Sequence, residues 1–310
     1  MSWRSAQGSR MRKIFLLPIL LLIFTGLVGF DGPAEPSPEA GTPIVDPEAQ
    51  TTGDRNSEGP KYTGCGGQIV PGLNDAYEAR VVELVNQARA AEGLPPLKRA
   101  EPMTEAARYH AADMGLDNYV DHDTFDRVGG NLTEVCGVWD RIATYFSGPT
   151  GENAAAGYST PEAVMEGWMN SPGHRANILN PASWEIGVGY FAGSGDYGIY
   201  WVQDFGRQPG VYPVVIAGES VATSSRYVLL NVYGEWQQMR LRNDSGAWTS
   251  WMPFSPQFAW ILNQGKGEHA VTLELKDGTQ TVSTSDTIYL DNDSASLLLT
   301  NLPVIQRLND

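Results

Sequence analysis

Positive charge is scarce in this 310-residue sequence: 21 Lys and Arg stand against 36 Asp and Glu, for a formal net charge of −15. Four of the bases, Arg4, Arg10, Arg12 and Lys13, precede an apolar run from Ile14 to Phe30, and that N-terminal stretch holds no acid. Removing those four charges from −15 leaves −19 on the rest of the chain. A surface so acidic repels phosphate backbones and anionic lipid. It excludes nucleic acid as a partner and leaves the N-terminal segment as the only route to a membrane. It suits a soluble extracellular protein able to collect cations.

Cysteine is nearly absent. Cys65 and Cys136 are the only two, and no CxxC or Cys/His cluster occurs, which removes structural zinc motifs and thiol redox motifs. In an exported chain two lone thiols pair, so one Cys65–Cys136 disulfide is expected. Long hydrophobic runs are missing too, apart from Ile14–Phe30. A basic stretch followed by an apolar one is the pattern of a secretory signal. The run is borderline against the roughly 20 apolar residues of a spanning helix, contains Pro18, and is followed by no clear small-x-small cleavage site. Residues 1–30 therefore read as a signal peptide or an uncleaved membrane anchor. Either way the chain is expected to be secreted or held at the cell surface. No Cys follows the run, so a lipoprotein has no support.

Large apolar side chains are nearly missing from residues 31–60, a stretch of Pro, Glu, Ser, Thr and Gly. Such a segment buries too little surface to offset its ordering entropy and reads as a disordered spacer. Helical spacing begins after it. Asp75 and Glu78 have capping-box spacing, Tyr77, Val81, Leu84, Val85 and Ala88 repeat on one face, and Gly93 and Pro95 mark the stop. A second helix is expected over about 104–118, with Met103, Ala107, His110 and Met114 as its stripe. A third is expected over 160–170, with Thr160 as N-cap and Pro161 first. Two strands follow, at 185–190 and 198–205. Helices before strands predict an α+β domain over about 65–207. Beyond it, alternating segments at 227–233, 239–241, 271–275 and 287–290, with Lys276-Asp-Gly278 as a turn, predict an all-β sandwich of immunoglobulin or fibronectin III type over about 211–292. Residues 293–310 form a tail without a reading.

Histidine is the last scarce type. There are four, and His110, His122 and His174 fall in the first domain, with His269 in the second. His110 lies on an apolar helix stripe one turn from Asp113, the position of a core histidine with a local partner. His122, His174 and Glu152 lie in predicted loops or turns, where each alone would be a solvated polar group. Trp236, Trp248, Trp251 and Trp260 in the second domain read as sandwich core or, alternatively, as a sugar platform.

The ordered set Leu84-Val-Asn-Gln-Ala-Arg89, Gly93-Leu-Pro-Pro-Leu97, His110-Ala-Ala-Asp-Met114, Gly151-Glu-Asn153, Trp168 to Leu179, Ile186-Gly-Val-Gly189 and Tyr200-Trp-Val-Gln-Asp-Phe205 resembles the bacterial branch of the CAP (SCP-like) superfamily. The resemblance covers nearly all of the first domain. It implies a three-layer α-β-α sandwich with a central cleft where many members carry two histidines and two acids and some hold a divalent metal. By motif, His122, Glu152 and His174 fill three of those places, while Ser171 stands where the second acid usually lies. The implied site is therefore His122, Glu152 and His174, able to hold Zn²⁺ or another divalent transition metal with an open position, supported by His110, Asp113, Asn153 and Ser171. Between Asp123 and Thr150 lies an insertion with Cys136, Trp139, Tyr145 and Phe146, which reads as a lip over the cleft or a decorative loop. Three functions follow: a binding module for a small apolar or envelope-derived ligand, a metal-dependent hydrolase with Glu152 as base, or a structural surface protein with a vestigial site. Family resemblance favours the first over an enzyme, and fold alone does not decide it.

Overall fold

The structure is a computed structural model that describes residues 39–45 and 62–291. The apolar leader, the rest of the spacer and the C-terminal tail lie outside the described residues. The first half of the chain forms β1 (Glu39–Val45), α1 (Asp75–Ala91), β2 (Lys98–Arg99), α2 (Glu101–Asp117), β3 (Thr124–Val128), β4 (Asn131–Cys136), α3 (Val138–Ala143), β5 (Pro149–Ala156), α4 (Pro161–Asn170), α5 (Pro172–Ile178), β6 (Glu185–Ala192) and β7 (Ile199–Gly206). Five of the strands form one sheet in the order β1-β5-β7-β6-β2.

Helices cover both faces of that sheet, as the α+β expectation required. Strand alternation decides which residue meets which layer. On one face Ile186, Val188, Trp201 and Phe205 pack with Val81, Val82 and Val85 of α1 and Val164, Met165 and Trp168 of α4. On the other, Ala154, Ala156, Tyr200 and Val202 pack with Ala107, Ala111 and Met114 of α2. The glycines of Ile186-Gly-Val-Gly189 set how close α2 lies. A Cβ on Gly187 would come within 2.1 Å of the Met103 carbonyl carbon, and one on Gly189 within 2.2 Å of that of Ala107. Only glycine lets the α2 backbone rest on β6, and this fixes the height at which His110 and Asp113 meet the sheet.

Helix starts follow local chemistry. Thr160 accepts from the Ala163 amide and Pro161 opens α4, as expected. In α1 the cap is Asn74, which accepts from the Tyr77 amide, rather than Asp75. Glu78 does not reach back to close a box. It is buried and accepts from Arg99 and Arg108, so a tertiary ion cluster outcompetes the local bond. The spacer reading of 31–60 needs correcting at 39–45. That segment forms β1, parallel to β5, because its backbone pairs with an otherwise open sheet edge and Ile44 joins the α1–α4 core.

The inserted segment holds the β3–β4 hairpin and α3. Cys65 and Cys136 are joined, as expected, across a sequence separation of 71, which ties the chain entering α1 to the end of β4.

The second half contains β8 (Val214–Ile216), β9 (Ala222–Thr223), β10 (Tyr227–Val232), β11 (Gln238–Asn243), β12 (Met252–Pro253), β13 (Gln257–Ile261), β14 (Gly267–Asp277) and β15 (Gln280–Leu290). They form a three-stranded sheet, β13-β10-β8, and a five-stranded sheet, β12-β11-β14-β15-β9, around one apolar core. Trp260 lies in that core and Trp236 against it. Trp248 and Trp251 do not. They flank Arg240 on the outer face of β11, with Arg242 over Trp248 and Lys276 over Trp251. The two halves meet where Lys98 of β2 pairs with Glu219 and Asp286. Among the described residues no helix is long and apolar enough to cross a membrane.

Candidate functional site

The site grows from two adjacent strands and the inserted helix. Glu152 on β5 and Asp204 on β7 are register partners, and alternation turns both toward the α2 face. His122, just before β3, brings Nδ1 to 2.6 Å from Glu152 Oε1. Arg141, from α3, donates through Nη2 to Glu152 Oε2. Its Nη1 donates to the His122 carbonyl at 2.6 Å and to Thr124 Oγ1 at 3.0 Å. Arg141, Glu152 and Asp204 are wholly buried, whereas the His122 side chain keeps 12% of its exposure.

Electrostatics assign protons within the cluster. Burial alone would raise the Glu152 carboxyl, but Arg141, His110 and His122 outweigh it and hold it well below the usual carboxylate range. Asp204 goes the other way. Burial first, then the Glu152 charge, push its carboxyl well above the usual range. As a carboxylate both its oxygens would be buried without a donor; as a neutral acid it shares its proton with Glu152. His110 is wholly buried, its Nε2 at 2.8 Å from the Asp121 carbonyl oxygen, and burial with Arg141 nearby lowers it to about 3. At neutral pH Glu152 is thus the anion, Arg141 the cation, Asp204 a neutral acid and His110 a neutral imidazole.

The remaining expected residues surround this cluster. Ser171 Oγ lies 2.8 Å from His174 Nδ1 and orients that ring at the start of α5. Asn153 donates to the His174 carbonyl at 3.2 Å, and Asn177 donates to the Glu152 carbonyl at 3.0 Å, so α5 is fastened to β5 through its backbone. Asp113 accepts from the Tyr119 hydroxyl and lies outside the Glu152 cluster. The structure therefore joins His122 directly to Glu152 and brings His174 to the same strand by way of Asn153. Sequence reading missed Arg141 and Asp204. An acid in the buried alternation Tyr200, Val202, Asp204 is a usable signal; an arginine in a short inserted helix is a weak one.

Glu152 by itself is a poor seat for Zn²⁺. Both Glu152 oxygens are engaged by side-chain donors, and a buried guanidinium already supplies the counter-charge. A dication on Glu152 would stand within hydrogen-bond reach of that guanidinium, at a large Coulombic cost in a dry site.

Residues 82–205 match the family model described as CAP, the cysteine-rich secretory protein family, and the chain carries such a domain. The segment is similar to two proteins of Bacillus subtilis (strain 168): the uncharacterized protein YkwD, 40% identical over 141 residues, covering 44% of this chain and 49% of that protein, and the uncharacterized membrane protein YlbC, 34% identical over 119 residues, covering 38% and 32%. The chain thus spans half or less of the curated relatives it matches. A crystal structure of an extracellular SCP-domain protein from Bacillus anthracis str. Ames is similar at 29% identity and a TM-score of 0.37, covering 43% of this chain and 41% of that one.

Proposed function

We propose that the protein is an exported CAP-domain binding module whose recognition element is the β5 edge beside His122 and Glu152, and that its ligand is an extended peptide segment of cell-envelope origin. The observation that carries this reading is β1. An extended segment lies along β5 with Ala40 level with Glu152 and Gly41 level with Asn153. Strand addition at an open edge is a general mode of peptide recognition, with main-chain bonds for affinity and pockets for specificity. The pocket is the bare face of α4: a Cβ on Gly167 would come within 3.0 Å of Ile44 Cδ1 and 2.8 Å of the Tyr158 hydroxyl. The charge-balanced cluster supports binding over catalysis, since Glu152 is neutralised by Arg141 and is a weak base. In this reading the cleft holds no resident transition metal, and the C-terminal two-sheet region is an immunoglobulin-like spacer or adhesive arm outside the cell.

One contact favours a second reading. A carboxylate on Nδ1 of His122 orients the ring as it does in hydrolytic triads. That reading is a hydrolase in which His122 activates water.

The test uses the full chain with Ile44→Glu, which expels β1 from its apolar seat, and a fluorescent peptide matching residues 39–45. Anisotropy should show saturable binding to the variant and at least about tenfold weaker binding to the unaltered chain. Binding to neither, or equal binding to both, overturns the module. Cleavage of the peptide that disappears in His122→Ala would establish the hydrolase instead.

A further inference from the structure

Three acids lie together outside the cleft. Asp113 and Asp117 are four residues apart on one face of α2, and Asp126 is on β3. One carboxylate oxygen from each lies within 4.8 Å of one from each of the others. Asp113 is 1% exposed and Asp117 3% exposed.

The neighbouring donors leave this charge unmet. Asp113 Oδ2 accepts from the Tyr119 hydroxyl, Asp117 Oδ2 from the Arg127 amide at 3.3 Å, and Asp126 from the Gly64 amide at 3.2 Å. Arg141 lies close enough to Asp113, and Arg127 to Asp117, to favour their charged forms, but neither pairs with them: the Arg127 guanidinium donates instead to the carbonyls of Asp117, Asn118 and Gly130. Among the described residues none of the three acids has an ion pair. A separate observation bears on the same group: Asp113 Oδ1 is buried and has no hydrogen-bond partner. Two buried carboxylates and the half-buried Asp126, with no ion pair on any of them, repel one another, and an orphaned buried carboxylate oxygen is costly.

We infer that Asp113, Asp117 and Asp126 form a binding site for a hard divalent cation, Ca²⁺ in the first instance. The ligand atoms are all carboxylate oxygens, which hard cations prefer and which distinguish this place from the His122 cluster. Oxygens on one Ca²⁺, at roughly 2.3–2.6 Å from the ion, span up to about 5 Å across the sphere, so a single ion reaches all three. Mg²⁺ keeps its waters more tightly, and a buried pocket suits the ion that sheds them. The ion would weld α2 to the β3–β4 hairpin and to the segment entering the Cys65–Cys136 bridge, because Gly64 already bonds Asp126 and also accepts from the Tyr109 hydroxyl.

The test is thermal unfolding and calorimetry of the chelator-treated full chain with CaCl₂, beside Asp113→Asn and Asp117→Asn. Asparagine keeps the shape and an acceptor while removing one charge. Without Ca²⁺ each variant should melt at or above the unaltered chain, since repulsion is relieved. With Ca²⁺ the unaltered chain should gain several degrees in Tm, and each variant should lose most of that gain. A merely structural role for these acids predicts the reverse order without Ca²⁺. Should Asp113→Asn fail to fold, Asp117→Asn carries the same comparison. Equal gains in all three proteins would place the ion elsewhere on the acidic surface and overturn the site. No gain with Ca²⁺, Mg²⁺ or Mn²⁺ would overturn it too, and would mean the pocket is held neutral by protons.

Discussion

Arg141 donates to Glu152 with both side chains wholly out of solvent, and the two residues come from different parts of the domain, an inserted helix and a central strand. The insertion is therefore neither pure lip nor decoration. It carries the internal cation that lets an acid stay ionised in the sheet.

Breaking that pair from one side should be expensive. Arg141→Gln leaves an ionised Glu152 beside Asp204 and is expected to cost about 3–5 kcal/mol of stability. The double variant with Glu152→Gln should recover a large part of the loss, because no buried charge is then stranded. Urea unfolding of the single and double variants measures this. Added Zn²⁺ should raise the Tm of Arg141→Gln by more than that of the unaltered chain. A single-variant cost under about 1 kcal/mol would mean that water reaches the pair.

Acid stability should depend on His110. Its imidazole is buried neutral, with the folded-state value lowered to about 3 against 6.5 for a free ring. Such a group contributes stability that is fully present above about 6.5 and lost as pH falls toward about 3, because the unfolded chain takes up the proton first. The groups facing it, Arg141, Glu152 and His122, are common to both proteins in the comparison. His110→Gln should therefore lose less stability than the unaltered chain between pH about 6.5 and 4. Parallel pH profiles of the unfolding midpoint would show that the ring is hydrated.

The disulfide closes a long loop. Replacing Cys65 and Cys136 by serine releases the separation of 71 residues, and loop-closure entropy predicts a loss of roughly 4 kcal/mol. Reduced and oxidised forms of the full chain compared by denaturant midpoint should show the same order. A difference near zero would mean that the hairpin is held by its other bonds, such as that from the Gly64 amide to Asp126.

Much of the first domain could be read because its signals are local. Thr160-Pro161 starts a helix by its own chemistry, and Gly187 and Gly189 mark strand positions whether or not the helix lying on them is known. His122 and Glu152 came from motif order, and the structure joins them at 2.6 Å. The failures are all tertiary. Nothing within residues 39–45 favours a strand; its order comes from the edge of β5, more than a hundred residues away. Asp75 lost the cap to Asn74 because Glu78 had distant arginines to meet. Arg141 and Asp204 acquire meaning only when β5, β7 and α3 converge. Trp248 and Trp251 looked like core by residue type, but alternation along β11 puts their cationic partners, Arg240 and Arg242, on the outward face.

Strand β1 also makes the fold a mechanical object. It is the only described structure between the N-terminal apolar run and residue 62, and it joins the sheet solely along β5. Among the described residues, these seven are the first that a pull from the N-terminal side would meet. The backbone bonds between β1 and β5, with Ile44 in its seat by Gly167, form the first link to part under tension. When that link parts, the edge laid open is the one beside Glu152. A chain fixed at its N-terminus and drawn away from that anchor would thus expose its cleft by force.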